Sequence, residues 1–334
     1  MSPVRVFFAA IHFFRQFKIR VVFLPSYAPA PEFALFAAAK LLGLSTVMMN
    51  ESHAGTERAQ GWKRRIKHWI VKRFDAALVG GQPQRRHFTA LGIPEERIFI
   101  GYDAIDNDWF QKGAANACEK EVALRESMCL PNRYFLSLGR MIKKKNLSTL
   151  IKAYAAFCKH CKEPVALVMV GSGDEEPMLR ELARSLELRV YDASQITPEI
   201  RSSLTYRDVI FYGFRQIDEN PSFYALADAF VLPSLWEEWG LVVNEAMACS
   251  LPVLVAKGVG CAEDLVEEGE NGYTFDPQNA EKLCQLLIRL ASDSELRQKM
   301  GNHSLKVINR WGCDNFARNA IAAATAACRC RKSG

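Results

Sequence analysis

Glu237 and Glu245 stand with seven residues between them, in the run Pro233-Ser234-Leu235-Trp236-Glu237-Glu238-Trp239-Gly240-Leu241-Val242-Val243-Asn244-Glu245. Gly240 lies between the two acids, and an apolar run with helical character begins there. One carboxylate in a loop and one in a helix can reach different hydroxyls of a single ligand. Trp236 and Trp239 flank the acids and argue for partial burial, against the alternative of a solvated acidic loop. At a helix start, the backbone N–H groups of Gly240, Leu241 and Val242 suit an anion.

A basic loop of complementary chemistry lies upstream: Gly139-Arg140-Met141-Ile142-Lys143-Lys144-Lys145-Asn146. Gly139 permits a sharp backbone turn. Arg140 offers a planar fork and Lys145 a point charge, which together suit a diphosphate. Taken alone, such a loop reads as a solvated face. Two further glycine turns follow apolar runs: Gly171-Ser172-Gly173, and Gly213 before Phe214 and Arg215. By itself Gly-x-Gly marks no more than a tight turn. Phe214 or Arg215 can cover a flat base, or can belong to the core.

These loops need a frame that brings them to one edge. The predicted buried strands are Val21–Leu24, Ser45–Asn50, Ala76–Val79 and Arg97–Ile100, then Tyr134–Leu138, Val165–Val170, Val209–Tyr212, Phe230–Leu232, Leu251–Val255 and Tyr273–Thr274. Helical patterns fall between them, including Val4–Phe17, Glu32–Leu42, Trp62–Phe74, Gln84–Leu91, Glu119–Met128, Leu147–Cys161, Met178–Ser185, Gln278–Leu290, Ser294–Asn309 and Asp314–Ala327. Alternation of this kind predicts an α/β protein with parallel, doubly wound sheets. Each chemistry-bearing loop follows a strand, so it lies at the carboxyl edge, where ligands bind in such sheets. Glu51-Ser52-His53 opens a polar loop running through Gln60. Tyr102–Gly113 shows no period and is expected to be a hinge. A polar, basic tail begins at Arg329.

With 334 residues, two domains are expected. The net charge of +6 fits an anionic partner without naming one. Ten cysteines show no framework of paired spacings. Cys158 and Cys161 sit in a helical pattern without a second pair and read as idle thiols, in keeping with a reducing, cytosolic setting. Without an apolar run long enough to span a bilayer, no transmembrane helix is predicted. The apolar run Val6–Phe14 lacks the flanks of a signal peptide.

Taken together, the motifs resemble retaining glycosyltransferases of family 4, which have the GT-B fold. The residues that carry the resemblance are Pro233-Ser234, Glu237 and Glu245 with Gly240-Leu241 inside, Ala246-Met247-Ala248, and Pro252-Val253. Gly139-Arg140 with Lys145, Gly171 with Gly173, and Asn271-Gly272 before Phe275 complete it. The resemblance implies two Rossmann-like domains with parallel sheets facing across a cleft. Residues 1–112 would be the acceptor side, 113–312 the donor side, and 313–334 a C-terminal helix that can pack back on the first domain. It implies a retaining transfer from a nucleoside diphosphate sugar to a glycan or lipid-linked acceptor, without a metal or resident cofactor. Arg140 and Lys145 would bind the diphosphate, Glu237 the donor sugar and Glu245 the ribose, with Gly139, Gly171, Gly173, Phe214, Arg215 and Gly240–Val242 around the nucleotide.

On the acceptor side the matching positions are Ser26, Tyr27, Glu51 and His53. Glu238 stands where many members have Gly. The family's first strand and Gly-rich loop are missing, so the amino-terminal domain is expected to be truncated. A non-catalytic nucleotide- or glycan-binding relative is the alternative function.

Trp62–Arg73 carries Lys63, Arg64, Arg65, Lys67, Lys72 and Arg73 around Trp62, Ile66, Trp69 and Ile70. Such a helix either rests on anionic lipid or is a plain solvated face. The first reading implies a cytoplasmic protein peripheral to the inner face of the membrane. No nucleic-acid module is recognisable.

Overall fold

The computed structural model describes residues 2–57, 59, 61–161, 163–204 and 206–330. Gln60, at the end of the expected polar loop, and residues 331–334 of the basic tail lie outside them. The chain divides into two compact units, one running to Ala104 and resuming at Trp311, the other Ile105–Arg310. The crossings therefore fall at 104/105 and 310/311, in place of the boundaries expected at 112 and 312.

The first unit holds a four-stranded sheet of Val21–Leu24 (β1), Ser45–Asn50 (β2), Ala76–Val79 (β3) and Ile98–Ile100 (β4). The strands pair in chain order, all parallel. Their apolar runs do not alternate because both faces are covered. One face receives Phe36, Ile70, Val71 and Phe88 from helices Ala30–Leu41, Trp62–Val71 and Gln82–Ala90. Against the other lies helix Cys313–Cys330, whose Ala323 and Ala327 are fully buried on Val47, Ala76 and Leu78. Helix Pro3–Gln16 packs on Ala30–Leu41 through Ala10, Phe14, Ala38 and Ala39.

In the second unit, seven strands form one parallel sheet. They are Tyr134–Leu138 (β5), Ala166–Val170 (β6), Arg189–Asp192 (β7), Asp208–Phe211 (β8), Ala229–Leu232 (β9), Val253–Ala256 (β10) and Gly272–Phe275 (β11). The spatial order is β11-β10-β9-β5-β6-β8-β7. The chain moves outward from β5 through β6, then returns to the other side of β5 with β9. Between β5 and β9 is the point where connections leave in opposite directions, the usual place for a ligand crevice in an open α/β sheet. Both units are Rossmann-like α/β layers.

Two expectations need correction. Tyr102–Gly113 does hold the crossing between the units at 104/105, but it is not irregular throughout, because Asn107–Glu119 is a helix. The Asp106 side chain caps it, accepting from Trp109 N at 3.0 Å. Phe110, Ala114 and Ala117 are buried at helical spacing. Their stripe is narrow among polar neighbours, which hides the period. Strand β7 has no counterpart among the predicted strands. It is a short edge strand with polar ends and half-exposed residues, so it gives no apolar run.

Candidate functional site

The loops that follow β5 and β9 are tied together at the switch point. Leu235 N donates to Lys144 O at 2.8 Å. The Asn146 amide donates to the carbonyls of Pro233, at 3.1 Å, and Pro277, at 2.7 Å. Asn146 can do so from a left-handed backbone, φ 52°, a conformation Asn tolerates better than most residues. These bonds bring the basic loop against the acidic one. Lys145 Nζ lies 2.7 Å from Glu237 Oε1, and Lys144 Nζ lies 2.7 Å from Glu237 Oε2. Ser234, fully buried, donates to Oε1 at 3.0 Å. Glu237 is only 6% exposed. Burial works against its ionisation, but the charge of Lys145 and hydrogen bonds from both lysines prevail and hold the carboxyl below its ordinary range.

The acidic loop is also fixed from the β10 side. Glu237 N donates to Gly258 O at 3.2 Å, and Gly260 N donates to Glu237 O at 3.1 Å. Trp239 is buried and donates to Asn244 at 2.9 Å. The tryptophans therefore hold the loop rather than face solvent together: Trp239 packs inward, while Trp236 has the Lys144 ammonium 4.5 Å above its ring.

Beside this cluster a cavity of about 330 Å³ opens over the carboxyl ends of β5, β6 and β8. Gly139, Arg140, Gly171, Phe214 and Arg215 line it, with Ser172, Ile217 and Asn220. Its size is within the usual range for a small-molecule site. Gly139 links it to the ion cluster, since a β-carbon there would sit 3.7 Å from Lys145 Nζ. Arg140 is exposed, and Phe214 leaves 69% of its surface uncovered at the rim. Arg215 is held by Tyr212 O at 3.1 Å and by Glu219 at 3.3 Å. The two glycines of the next turn have a steric reason. A β-carbon on Gly171 would lie 2.0 Å from Gly139 O, and one on Gly173 would lie 2.3 Å from Met141 O. They allow the turn after β6 to press on the turn after β5. Gly173 does not line the cavity.

Glu245 and the helix start also lie outside the lining. Leu241–Ala248 begins after Gly240, whose φ of 104° only glycine adopts without strain. The first amides of that helix, on Leu241 and Val242, have no acceptor within their own helix. Glu245 accepts from Tyr224 Oη at 2.9 Å. Burial raises its carboxyl, while hydrogen bonds from Tyr224 and Asn220 pull the other way. Asn220 thus connects Glu245 to the cavity wall. Among the described residues, no group of three or more His, Cys, Asp or Glu is arranged to hold a metal ion.

The sequence does not single out Lys144 or Asn146, and it marks Ser234 only as part of a motif, without a role. Three consecutive lysines look alike on the page, yet Lys143 is exposed while Lys144 and Lys145 are 18% and 13% exposed. The Pro-Ser at a strand end and an Asn after the lysines are the available signals.

The first unit has its own polar group at the carboxyl ends of its strands. Ser26 and Tyr27 line a cavity of about 120 Å³ with Asn50, Ser52, Lys67 and Phe88. Burial, and then the nearby Glu57 charge, push the Tyr27 hydroxyl up to about 12. Lys67 turns inward to Glu57, so it leaves the basic face the sequence suggests. His87 joins the pair, its Nε2 3.4 Å from Glu57, and burial beside Lys67 lowers it to about 4. His53 is 8% exposed, and its Nδ1 accepts from Gly55 N at 3.2 Å. Glu51 meets Asp103 in a carboxyl–carboxylate hydrogen bond. Burial, then the Glu51 charge, push Asp103 up to about 8. Neither His87 nor Asp103 stands out in the sequence, because their partners meet only when the parallel strands align.

Curated proteins resemble this chain in sequence, and solved structures resemble it in fold. An uncharacterized glycosyltransferase of Methanocaldococcus jannaschii is 27% identical over 236 residues, 70% of this chain and 55% of that protein. The chain spans about half the length of the curated relatives it matches. A glycosyltransferase from Rickettsia africae has a similar fold, with a TM-score of 0.77 at 17% identity over 97% of this chain and 81% of that one. Anabaena HepE in complex with UDP superposes with a TM-score of 0.73 at 19% identity, over 97% of this chain and 82% of that one. The two Rossmann-like domains are those of the GT-B fold, and residues 132–293, which hold both interlocked loops, match the family described as Glycosyl transferases group 1.

Proposed function

We propose that this chain is a metal-independent, retaining glycosyltransferase of family 4. It moves a sugar from a nucleoside diphosphate sugar to a glycan or lipid-linked acceptor. The Lys145–Glu237 pair at the switch point, beside a cavity rimmed by Arg140 and Phe214, carries this reading. UDP, the ligand held by Anabaena HepE, is of the class that the cavity suits.

The roles follow from charge. As the bond from the sugar C1 to the diphosphate breaks, negative charge gathers on the departing oxygen. Lys145, Arg140 and the amides of Leu241 and Val242 are the positive groups available to meet it. Positive groups already fixed where charge develops give many enzymes most of their rate enhancement. The acceptor oxygen attacks C1 from the face the phosphate leaves, and a departing phosphate oxygen takes its proton. Glu237, kept ionised, accepts from sugar hydroxyls. Glu245, behind Asn220, serves the ribose. On the acceptor side, Ser26 and Tyr27 are favoured by their cavity, and Glu51 by its contact with Asp103. His53 has less support because its ring already caps a turn.

Peripheral contact with anionic lipid at the cytoplasmic face belongs to the same reading. It rests on Trp62, Ile66 and Trp69, which are 68%, 47% and 51% exposed among basic residues. No helix among the described residues is long and apolar enough to cross a membrane.

Incubation with a panel of UDP- and GDP-sugars and candidate acceptors tests the reaction, with and without EDTA. The expected outcome is EDTA-resistant transfer, with the donor's anomeric configuration kept in the product. Donor binding without turnover on any acceptor would favour the non-catalytic relative instead.

A further inference from the structure

Glu237 is served by two ammonium groups, although one would neutralise it. Lys145 takes Oε1 and Lys144 takes Oε2, each at 2.7 Å. The surroundings of the two lysines differ. Lys145 does not itself line the cavity, but its Nζ lies beside the turn at Gly139, which does. Lys144 is packed among the acidic loop's own residues, 4.5 Å from the Trp236 ring and 3.6 Å from Glu238. Its carbonyl also receives Leu235 N.

We propose that Lys144 is a charge-balancing and positioning residue: it satisfies Glu237 so that the charge of Lys145 remains available to the diphosphate of the donor. This role rests on the donor-site reading above, and its basis is electrostatic. A carboxylate with a single ammonium is a neutral pair and offers a diphosphate little net attraction. Two ammonium groups on one carboxylate leave a net positive charge. That charge is useful only on the side facing the ligand, where Lys145 stands. An ammonium has three donors, so Lys145 can keep Oε1 and still meet a phosphate oxygen. Lys144 holds the second carboxylate oxygen from a position in which its own ammonium rests over the Trp236 ring. Glu238, 40% exposed and farther away, offsets Lys144 only through a more solvated contact.

Such a role separates a diphosphate from a neutral nucleoside. UDP and uridine are titrated by NMR into wild type, Lys144→Met, Lys144→Gln and Lys144→Arg, with melting temperatures recorded. GDP and guanosine are run in parallel. Removing the charge is expected to weaken the diphosphate about tenfold and to leave the nucleoside within about twofold. Lys144→Arg is expected to restore most of the loss. With a turned-over donor, kcat falls more than KM rises. Equal losses for diphosphate and nucleoside, or no loss in either neutral variant, would overturn the assignment. A wild type that binds no nucleoside diphosphate overturns the donor-site reading and this inference together. The silence of the wild type itself distinguishes that outcome from a failure of Lys144 alone.

Discussion

Glu237 and Asp103 are both buried carboxyls, and their neighbours send them in opposite directions. Glu237 has two ammonium groups and stays ionised. Asp103 has another acid, Glu51, and holds its proton up to about pH 8. A carboxyl raised in the folded state does not change stability below its unfolded value near 4, where both states are protonated. Above that, the unfolded chain releases a proton that the folded one keeps. Stability therefore falls as pH rises from about 4 towards about 8. Asp103→Asn keeps a hydrogen-bond donor for Glu51 and removes the titration. Urea midpoints measured across this range are expected to decline for wild type and to be flatter for Asp103→Asn. Parallel curves would mean that the pair does not share a proton as described. The sequence reveals which residues carry charge but not their pairing. Glu237 and Lys145 read there as separate contacts to a ligand, yet they bind each other, because only the fold brings the two loops together.

At the scale of elements, the strands are legible in the sequence because burial on both faces leaves unbroken apolar runs such as Ala166–Val170 and Val253–Ala256. The loops are legible because glycine marks the turns, and Gly171 shows why: a side chain there would collide with the Gly139 carbonyl. Asn107–Glu119 and β7 are hidden by their polar surfaces. The basic helix Trp62–Val71 is legible as an amphipathic element, but the division of its charges is not. Lys67 is taken up by Glu57, and Arg73 stacks on Trp69, its guanidinium carbon 3.6 Å from the ring centroid. The exposed aromatic rings remain the part suited to a lipid interface. Flotation with anionic and with neutral vesicles measures this directly. Binding to anionic vesicles is expected, falling roughly tenfold in Trp62→Ser/Trp69→Ser and with added salt. Equal flotation of that variant, or no flotation of wild type, would leave the helix as a solvated face.

At the scale of the molecule, the chain is two parallel α/β units, and the chemistry described for the donor belongs to one of them. The seven-stranded unit carries its own switch point, cavity and ion cluster between Ile105 and Arg310. The four-stranded unit is closed by the helix that ends the described chain, whose alanines fit flat on β2 and β3. The chain's return to its first unit is expected from the resemblance to a known fold, and no single motif requires it. On the proposed reading, the switch point of the larger sheet is a donor site in which Lys145 stabilises the departing diphosphate. The most direct measurement is the rate of nucleoside diphosphate release from the preferred donor sugar by wild type, Lys145→Ala and Glu237→Ala, alongside their melting temperatures. Both variants are predicted to fall by about 100-fold or more while remaining folded. Folded variants that release nucleoside diphosphate at the wild-type rate would rule out this role for Lys145 and Glu237.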